Sequence, residues 1–194
     1  MQKIAITGLI ASGKSTISRY LQRRGFEVAD ADAIVNDLYQ TSEIKDIMQS
    51  RFGWEIFLPD GEIDKRKLAQ LAADEREIKS FLERVFWPRV AQEVQMWLFA
   101  QEKKGQKIVW VNVPLLFEAK MNGFFDEIWL VEADEELRLE RLQQREHLSR
   151  QEAQKRLQMR QKALYPLEKI SRVIVNNELI SDLERQVEAV LPQI

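Results

Sequence analysis

The sequence predicts an α/β fold built on a parallel sheet, and three observations carry that expectation. Short apolar runs of strand length recur along the chain, stretches with helical spacing of apolar residues separate them, and a glycine-bounded loop follows the first run directly. Residues 3–7 are the first run, and Ile17, Tyr20, Leu21 and Arg24 then recur at helical spacing until Gly25 ends the pattern. Phe26-Glu27-Val28-Ala29 reads as a second strand that runs into Asp30-Ala31-Asp32. Ile34, Val35, Leu38 and Tyr39 mark one helix and Ile44, Ile47 and Met48 another, with a loop from Phe52-Gly53 to the turn at Asp60-Gly61. From Lys65 to about Gln101 the pattern is helical, and Pro88 is expected to break or kink it. The continuous run Lys107 to Pro114 and the shorter Ile128-Trp129-Leu130-Val131 read as buried parallel strands. Asp134 is placed to cap two charged helical stretches reaching about Lys162. A short strand at Val173-Ile174-Val175 follows, and Leu179, Leu183, Val187 and Leu191 close the chain as an amphipathic helix.

Length and composition limit the chemistry. At 194 residues, with 45% hydrophobic and 31% charged residues, one domain with a packed core is expected, without repeats or low-complexity tracts. The formal charge of −2 gives no global attraction to nucleic acid or an anionic membrane, so an anionic ligand must be met locally. Zero Cys removes disulfides, thiolate nucleophiles and cysteine metal sites, and the single His147 cannot furnish an imidazole cage or a histidine-based triad. The N-terminus lacks the apolar stretch of a signal peptide and no run is long enough to span a bilayer, which points to the cytoplasm.

Gly8-Leu9-Ile10-Ala11-Ser12-Gly13-Lys14-Ser15 fits the pattern G-x-x-x-x-G-K-[ST] between a predicted strand and a predicted helix. Gly8 and Gly13 allow the backbone to curl its N–H groups toward one centre, Lys14 can reach the outer phosphates of a nucleotide, and the Ser15 hydroxyl can ligate Mg²⁺. An ordinary glycine turn is the competing reading, and the agreement of residues, spacing and context argues against it. No Asn-Lys-x-Asp is present to read guanine, and Asn176-Asn177-Glu178 does not replace it. The strand at 107–113 ends in Asn112 and Pro114, where many P-loop ATPases carry an acid for the metal. A small-molecule kinase fits these features better than a GTPase or motor.

Phosphoryl transfer to an alcohol calls for a carboxylate that orients the hydroxyl or accepts its proton. Asp30 and Asp32 are placed for this, beside the loop of the first strand if the sheet is doubly wound, and helix capping is their alternative role. From Arg138 to Arg172 ten basic residues face four acidic ones, a local charge of +6 against −8 elsewhere. Most of these are expected to form a solvated face, but Arg141 and Arg145 lie four apart on one helical face and could close over phosphates.

Gly8 to Thr16, the Asp30-Ala31-Asp32 triplet, Phe52-Gly53, Asp60-Gly61-Glu62-Ile63, Val113 to Glu118, Arg141 with Arg145, Gln161 and Val173 to Asn177 occur in an order that resembles the dephospho-CoA kinase family over nearly the whole chain. The resemblance implies a P-loop fold with a five-stranded parallel sheet flanked by helices: a core at about 1–35, 105–135 and 166–194, an acceptor-binding helical insertion at about 36–104, and a basic lid at about 136–165. It implies transfer of the ATP γ-phosphoryl group, with Mg²⁺, to the ribose 3′-hydroxyl of dephospho-CoA. No nucleic acid or membrane partner is expected, and the protein should be a monomer. Carried over by residue, Asp32 is the base, with Lys14 and Arg141 catalytic. Gly8, Ala11, Ser12, Gly13, Lys14, Ser15, Thr16, Arg145 and Asn176 would bind ATP, and Ser15 the metal. Asp30, Asp32, Lys65, Trp87 and Leu115 would bind the acceptor. Two positions depart from the family: Trp87 stands before Pro88 where His is common, and Ser171 stands where an Asp commonly precedes the last strand. A kinase for another nucleotide or small alcohol, and a nucleotide-binding regulator without turnover, are the alternatives.

Overall fold

The computed structural model describes residues 1–159 and 165–191, so Arg160, Gln161 and Lys162 lie outside the described residues. Five strands, β1 (Gln2–Thr7), β2 (Glu27–Asp30), β3 (Ile108–Asn112), β4 (Glu127–Glu132) and β5 (Arg172–Val175), form one sheet in the order β2-β3-β1-β4-β5. All four strand pairings are parallel. β1 is central, with β3 and β4 on either side, so the chain leaves the sheet in opposite directions at the carboxyl end of β1. A crevice opens at such a switch point, and the phosphate-loop motif begins there.

The apolar runs form strands because both sheet faces are buried, which removes the need for polar alternation. All five residues of β3 are buried, as are Ile128 to Val131 of β4. On one face Ile4, Ile6, Trp110, Trp129 and Val131 pack with Ile17 and Leu21 of α1 (Lys14–Arg23) and Leu183 and Val187 of α8 (Ile180–Val190). Trp110 and Trp129 meet edge to face with ring centroids 4.7 Å apart. Full burial of one such ring stabilises by about 1.5–3 kcal/mol. The last helix behaves as its spacing predicts at Leu183 and Val187, whereas Leu179, just outside it, is exposed.

The chain forms two compact units, Met1–Asp30 with Val94–Ile194, and Ala31–Glu93. The second is helical: α2 (Ala31–Leu38), α3 (Ser42–Phe52), α4 (Lys65–Asp74) and the first part of α5 (Arg76–Lys103). Its core holds Ile44, Met48, Ile56, Ile63, Leu68 and Phe86. Asp64 caps α4, its carboxylate accepting from the N–H groups of Arg66 and Lys67 at 3.0 Å each. Pro88 does not break α5, which is continuous through it. The proline removes one backbone donor, and Phe86 and Val90 on either side of it in the same helix are buried.

Two further expectations are corrected. Asp134 stands at the start of α6 (Glu135–Glu146) but makes no side-chain cap; its carbonyl accepts from Arg138 N–H at 2.9 Å, and its own N–H donates to Asn177 Oδ1 at 2.9 Å. The stretch after Phe52 is not all loop, since Gly53–Ile56 is a short 3₁₀ turn. Among the described residues no helix is long and apolar enough to cross a membrane.

Candidate active site

The loop from Gly8 to Gly13 needs both of its glycines for steric reasons. A Cβ on Gly8 would lie 2.2 Å from the Val131 carbonyl oxygen, and one on Gly13 would lie 2.0 Å from Asn176 Nδ2. Both glycines, and Ala11 between them, have positive φ (143°, 111° and 60°), a region costly for residues with a side chain. Gly13 stands before the first turn of α1, whose open N–H groups favour an anion. Among the described residues the buried Ser12 hydroxyl has no hydrogen-bond partner, an open polar group within the loop. Ser15 is exposed on the first turn of α1, and the N–H of Thr16 is held by the Gly13 carbonyl at 2.9 Å.

Lys14 is 8% exposed and its ammonium donates to the carbonyls of Gly8 and Leu9, each at 2.9 Å. A buried ammonium held by its own loop is a positive charge already placed at the head of α1. Asn176, after β5, joins two pieces of the site. Its Nδ2 donates to the Ser12 carbonyl at 2.8 Å, and its Oδ1 accepts from Arg141 at 3.5 Å. Among the described residues Arg141 Nη1 is buried and has no hydrogen-bond partner, leaving a charged donor open beside the loop. Lys14 and Arg141 thus bring positive charge to the loop and the first turn of α1, which suits a polyphosphate.

α6 and α7 (Arg150–Met159) pack through Leu139, Leu142, Ala153 and Leu157, with Ile10 and Ala11 of the loop against the same cluster. The basic stretch is therefore tied to the phosphate loop by apolar contacts. Much of its charge is neutralised locally, since Arg150 pairs with Glu136 at 2.6 Å, and both Arg145 and Arg156 pair with Glu146, the former at 2.6 Å. Hydrogen bonding to Glu136 raises the Arg150 pKa, and the same bond lowers that of Glu136.

Arg138, read from sequence as part of a solvated face, is 5% exposed and its Nε donates to the Ala133 carbonyl at 3.1 Å. It lines a cavity of about 410 Å³ with Leu9, Glu132, Asp134, Tyr165 and Asn177. Burial, and then the charge of Glu118, push the Tyr165 hydroxyl pKa well above its usual range. No sequence signal separated Arg138 from its exposed neighbours; its burial depends on the packing of α6.

Asp30 ends β2, and β3 stands between β2 and β1 in the sheet. Asn112 pairs in register with Asp30 on one side and Ile6 on the other, and its Nδ2 donates to Asp30 Oδ2 at 2.9 Å. Leu115, in the turn after β3, is partly exposed while Leu116 is buried. Ser171 has a structural role: its N–H donates to the Ile128 carbonyl at 2.8 Å and its Oγ accepts from the Ile128 N–H at 3.0 Å.

In the helical unit, Asp32 is exposed in the first turn of α2, where a carboxylate complements the helix dipole. Lys65 donates to Asn36 Oδ1 at 2.8 Å and lies 5.0 Å from the centre of the Tyr39 ring. Burial pushes the Tyr39 hydroxyl pKa up to about 12. Trp87 is half-buried on α5.

Comparison with known proteins adds identity to this geometry. A family model described as dephospho-CoA kinase matches residues 2–182. A dephospho-CoA kinase from Fusobacterium nucleatum is 35% identical over 185 residues, covering 95% of this chain and 94% of that protein. Among solved structures, a Thermus thermophilus protein superposes with a TM-score of 0.73 at 32% identity, covering 97% of this chain and 95% of that one. The dephospho-CoA kinase from Campylobacter jejuni superposes with a TM-score of 0.71 at 25% identity, covering 98% and 96%. With the glycine-bounded loop, buried Lys14 and five-stranded parallel sheet already in place, the chain belongs to the dephospho-CoA kinase family.

Proposed function

We propose that this ATP-dependent kinase phosphorylates the ribose 3′-hydroxyl of dephospho-CoA, giving coenzyme A and ADP, with Asp32 as base and Lys14 and Arg141 stabilising the transferring phosphoryl group. The observation that carries the reading is an intact phosphate loop in a chain matched to the family over residues 2–182. The acceptor oxygen bonds to the γ-phosphorus as the bond from that phosphorus to the β–γ bridging oxygen breaks. The hydroxyl proton passes to Asp32, and ADP leaves with the bridging oxygen.

Lys14, the first turn of α1 and the open Nη1 of Arg141 offset the negative charge of the transferring group. The loop residues Gly8, Ala11, Ser12, Gly13, Ser15 and Thr16 hold the polyphosphate, with Arg145 and Asn176 on the nucleotide side. Asp30, Lys65, Trp87 and Leu115 hold the acceptor. Mg²⁺ bound with ATP would be held by the Ser15 hydroxyl and phosphate oxygens, and it supplies charge neutralisation. The helical segment at about 36–104 is proposed as the acceptor-binding insertion, the segment at about 136–165 as the lid, and the protein as a cytoplasmic monomer.

ADP release, measured with and without dephospho-CoA, tests the reading. Strong stimulation by dephospho-CoA supports it. Stimulation only by another nucleoside or small alcohol changes the substrate, and ATP binding without turnover for any acceptor makes the protein a regulator.

A further inference from the structure

Asn112 occupies the last position of β3, where an acid is common in ATPases of this loop type, and it is 2% exposed. A carboxamide there does something an acid could not. An ionised carboxylate only accepts hydrogen bonds, so the group facing Asp30 Oδ2 at 2.9 Å must donate, which assigns Nδ2 to that side. An ionised Asp in its place would set two carboxylates against each other at contact distance and disfavour charge on both. The other end of the amide, Oδ1, is buried and has no partner among the described residues, a costly arrangement for a core residue if packing were its only task. An apolar side chain of the same shape would fill a fully buried strand position without that cost.

We propose that Asn112 is a positioning residue for phosphoryl transfer, acting through Asp30: it holds the Asp30 carboxylate in a single orientation for the acceptor. The inference rests on the reading of Asp30 as an acceptor-side group. The geometry is fixed by the sheet itself, because Asp30 and Asn112 are register partners in the β2–β3 ladder. The ladder sets the backbone spacing, and the hydrogen bond then selects one rotamer of Asp30 from those that the half-exposed strand end would permit. Loss of the donor should therefore act on the acceptor and leave ATP untouched.

The test is a double-mutant cycle on the full chain, with Asn112→Leu and Asp30→Ala alone and together. The readouts are KM and kcat for dephospho-CoA, ATP affinity by titration, and the thermal midpoint. The expected result is a rise of about 10-fold or more in acceptor KM for Asn112→Leu, with ATP affinity and thermal midpoint at or above the parental values. In the Asp30→Ala background the same substitution should change acceptor KM less than twofold, because the residue through which it acts is gone. Asn112→Val, a β-branched residue suited to the strand that also lacks the donor, should repeat the acceptor defect and covers the case in which the leucine variant does not fold. Parental acceptor KM in a folded variant, equal losses in both backgrounds, or a fall in stability that weakens both substrates alike would overturn the proposal. A parent enzyme with no response to dephospho-CoA would instead overturn the assignment of the substrate, so the two failures are separable.

Discussion

Gly13 tests how tightly the loop is built. Its φ of 111° disfavours any side chain, and an added Cβ would meet Asn176 Nδ2 at 2.0 Å. Asn176 cannot yield without releasing the Ser12 carbonyl at 2.8 Å and its contact with Arg141. Gly13→Ala should therefore weaken ATP binding by about 10-fold or more, through strain together with the loss of both contacts. Gly25→Ala is the matched control: its φ is 85°, yet nothing lies within 4 Å of an added Cβ. That variant should lose about 1 kcal/mol of stability and keep parental ATP affinity. Equal affinities for both variants in ATP titrations would mean that the loop tolerates a side chain at Gly13.

Asp32→Asn addresses the chemistry at the same scale. Asn keeps the size but takes no proton, so turnover should fall by roughly 100-fold or more with ATP affinity nearly unchanged. Near-parental turnover in acceptor-dependent ADP release would move the base elsewhere. The loop residues were legible because an eight-position pattern with fixed glycines states a backbone shape. The buried contacts of Asn112 and Asn176 were not, because each depends on a partner far away in sequence, at Asp30 and Ser12 in turn. For Arg138 the partner is near but its burial is tertiary.

α6 and α7 divide their arginines by environment, although sequence presents them as one basic run. Arg141 is half-buried with an open Nη1, whereas Arg150 is exposed and paired with Glu136. Arg141→Ala should lower kcat by roughly 10²-fold or more while changing ATP affinity much less, since the contact strengthens as charge develops in the transition state. Arg150→Ala should alter kcat by less than about twofold, because an exposed ion pair contributes little. Steady-state kinetics on both variants checks this, and similar small losses would return Arg141 to a solvated role. At this scale the buried strands were easiest to read, since β3 and β4 need unbroken apolar sequence to be covered on both faces. Helix ends were harder. Ser149 and Glu152 form a reciprocal cap at the start of α7, with Glu152 accepting from the Ser149 N–H at 2.9 Å and Ser149 Oγ accepting from the Glu152 N–H at 3.3 Å. That Ser-x-x-Glu signal was present in the sequence, while Asp134, the more obvious cap residue, makes no side-chain cap.

In the whole molecule, the sheet unit carries both the phosphate loop and the buried Trp110–Trp129 pair, so nucleotide binding and the integrity of one core can be followed together. The helical unit keeps its own core around Met48 and Leu68 and contributes Trp54, which is exposed, and Trp87, which is half-buried. A ligand that binds only the folded state stabilises it by about 2.7 kcal/mol when present at 100 times its Kd. For a protein of this length that corresponds to a rise of about 5–11 °C in the thermal midpoint. Mg²⁺-ATP at that excess should produce such a shift in near-ultraviolet circular dichroism, where the edge-to-face tryptophan pair in its asymmetric core contributes strongly. Lys14→Ala should lose most of the shift, because the loop then lacks its buried cation, while Arg150→Ala should retain it. A parent protein whose midpoint does not move with saturating Mg²⁺-ATP would remove the nucleotide from this loop. A shift kept in full by Lys14→Ala would leave the nucleotide bound but assign the charge that holds it to Arg141 and the first turn of α1.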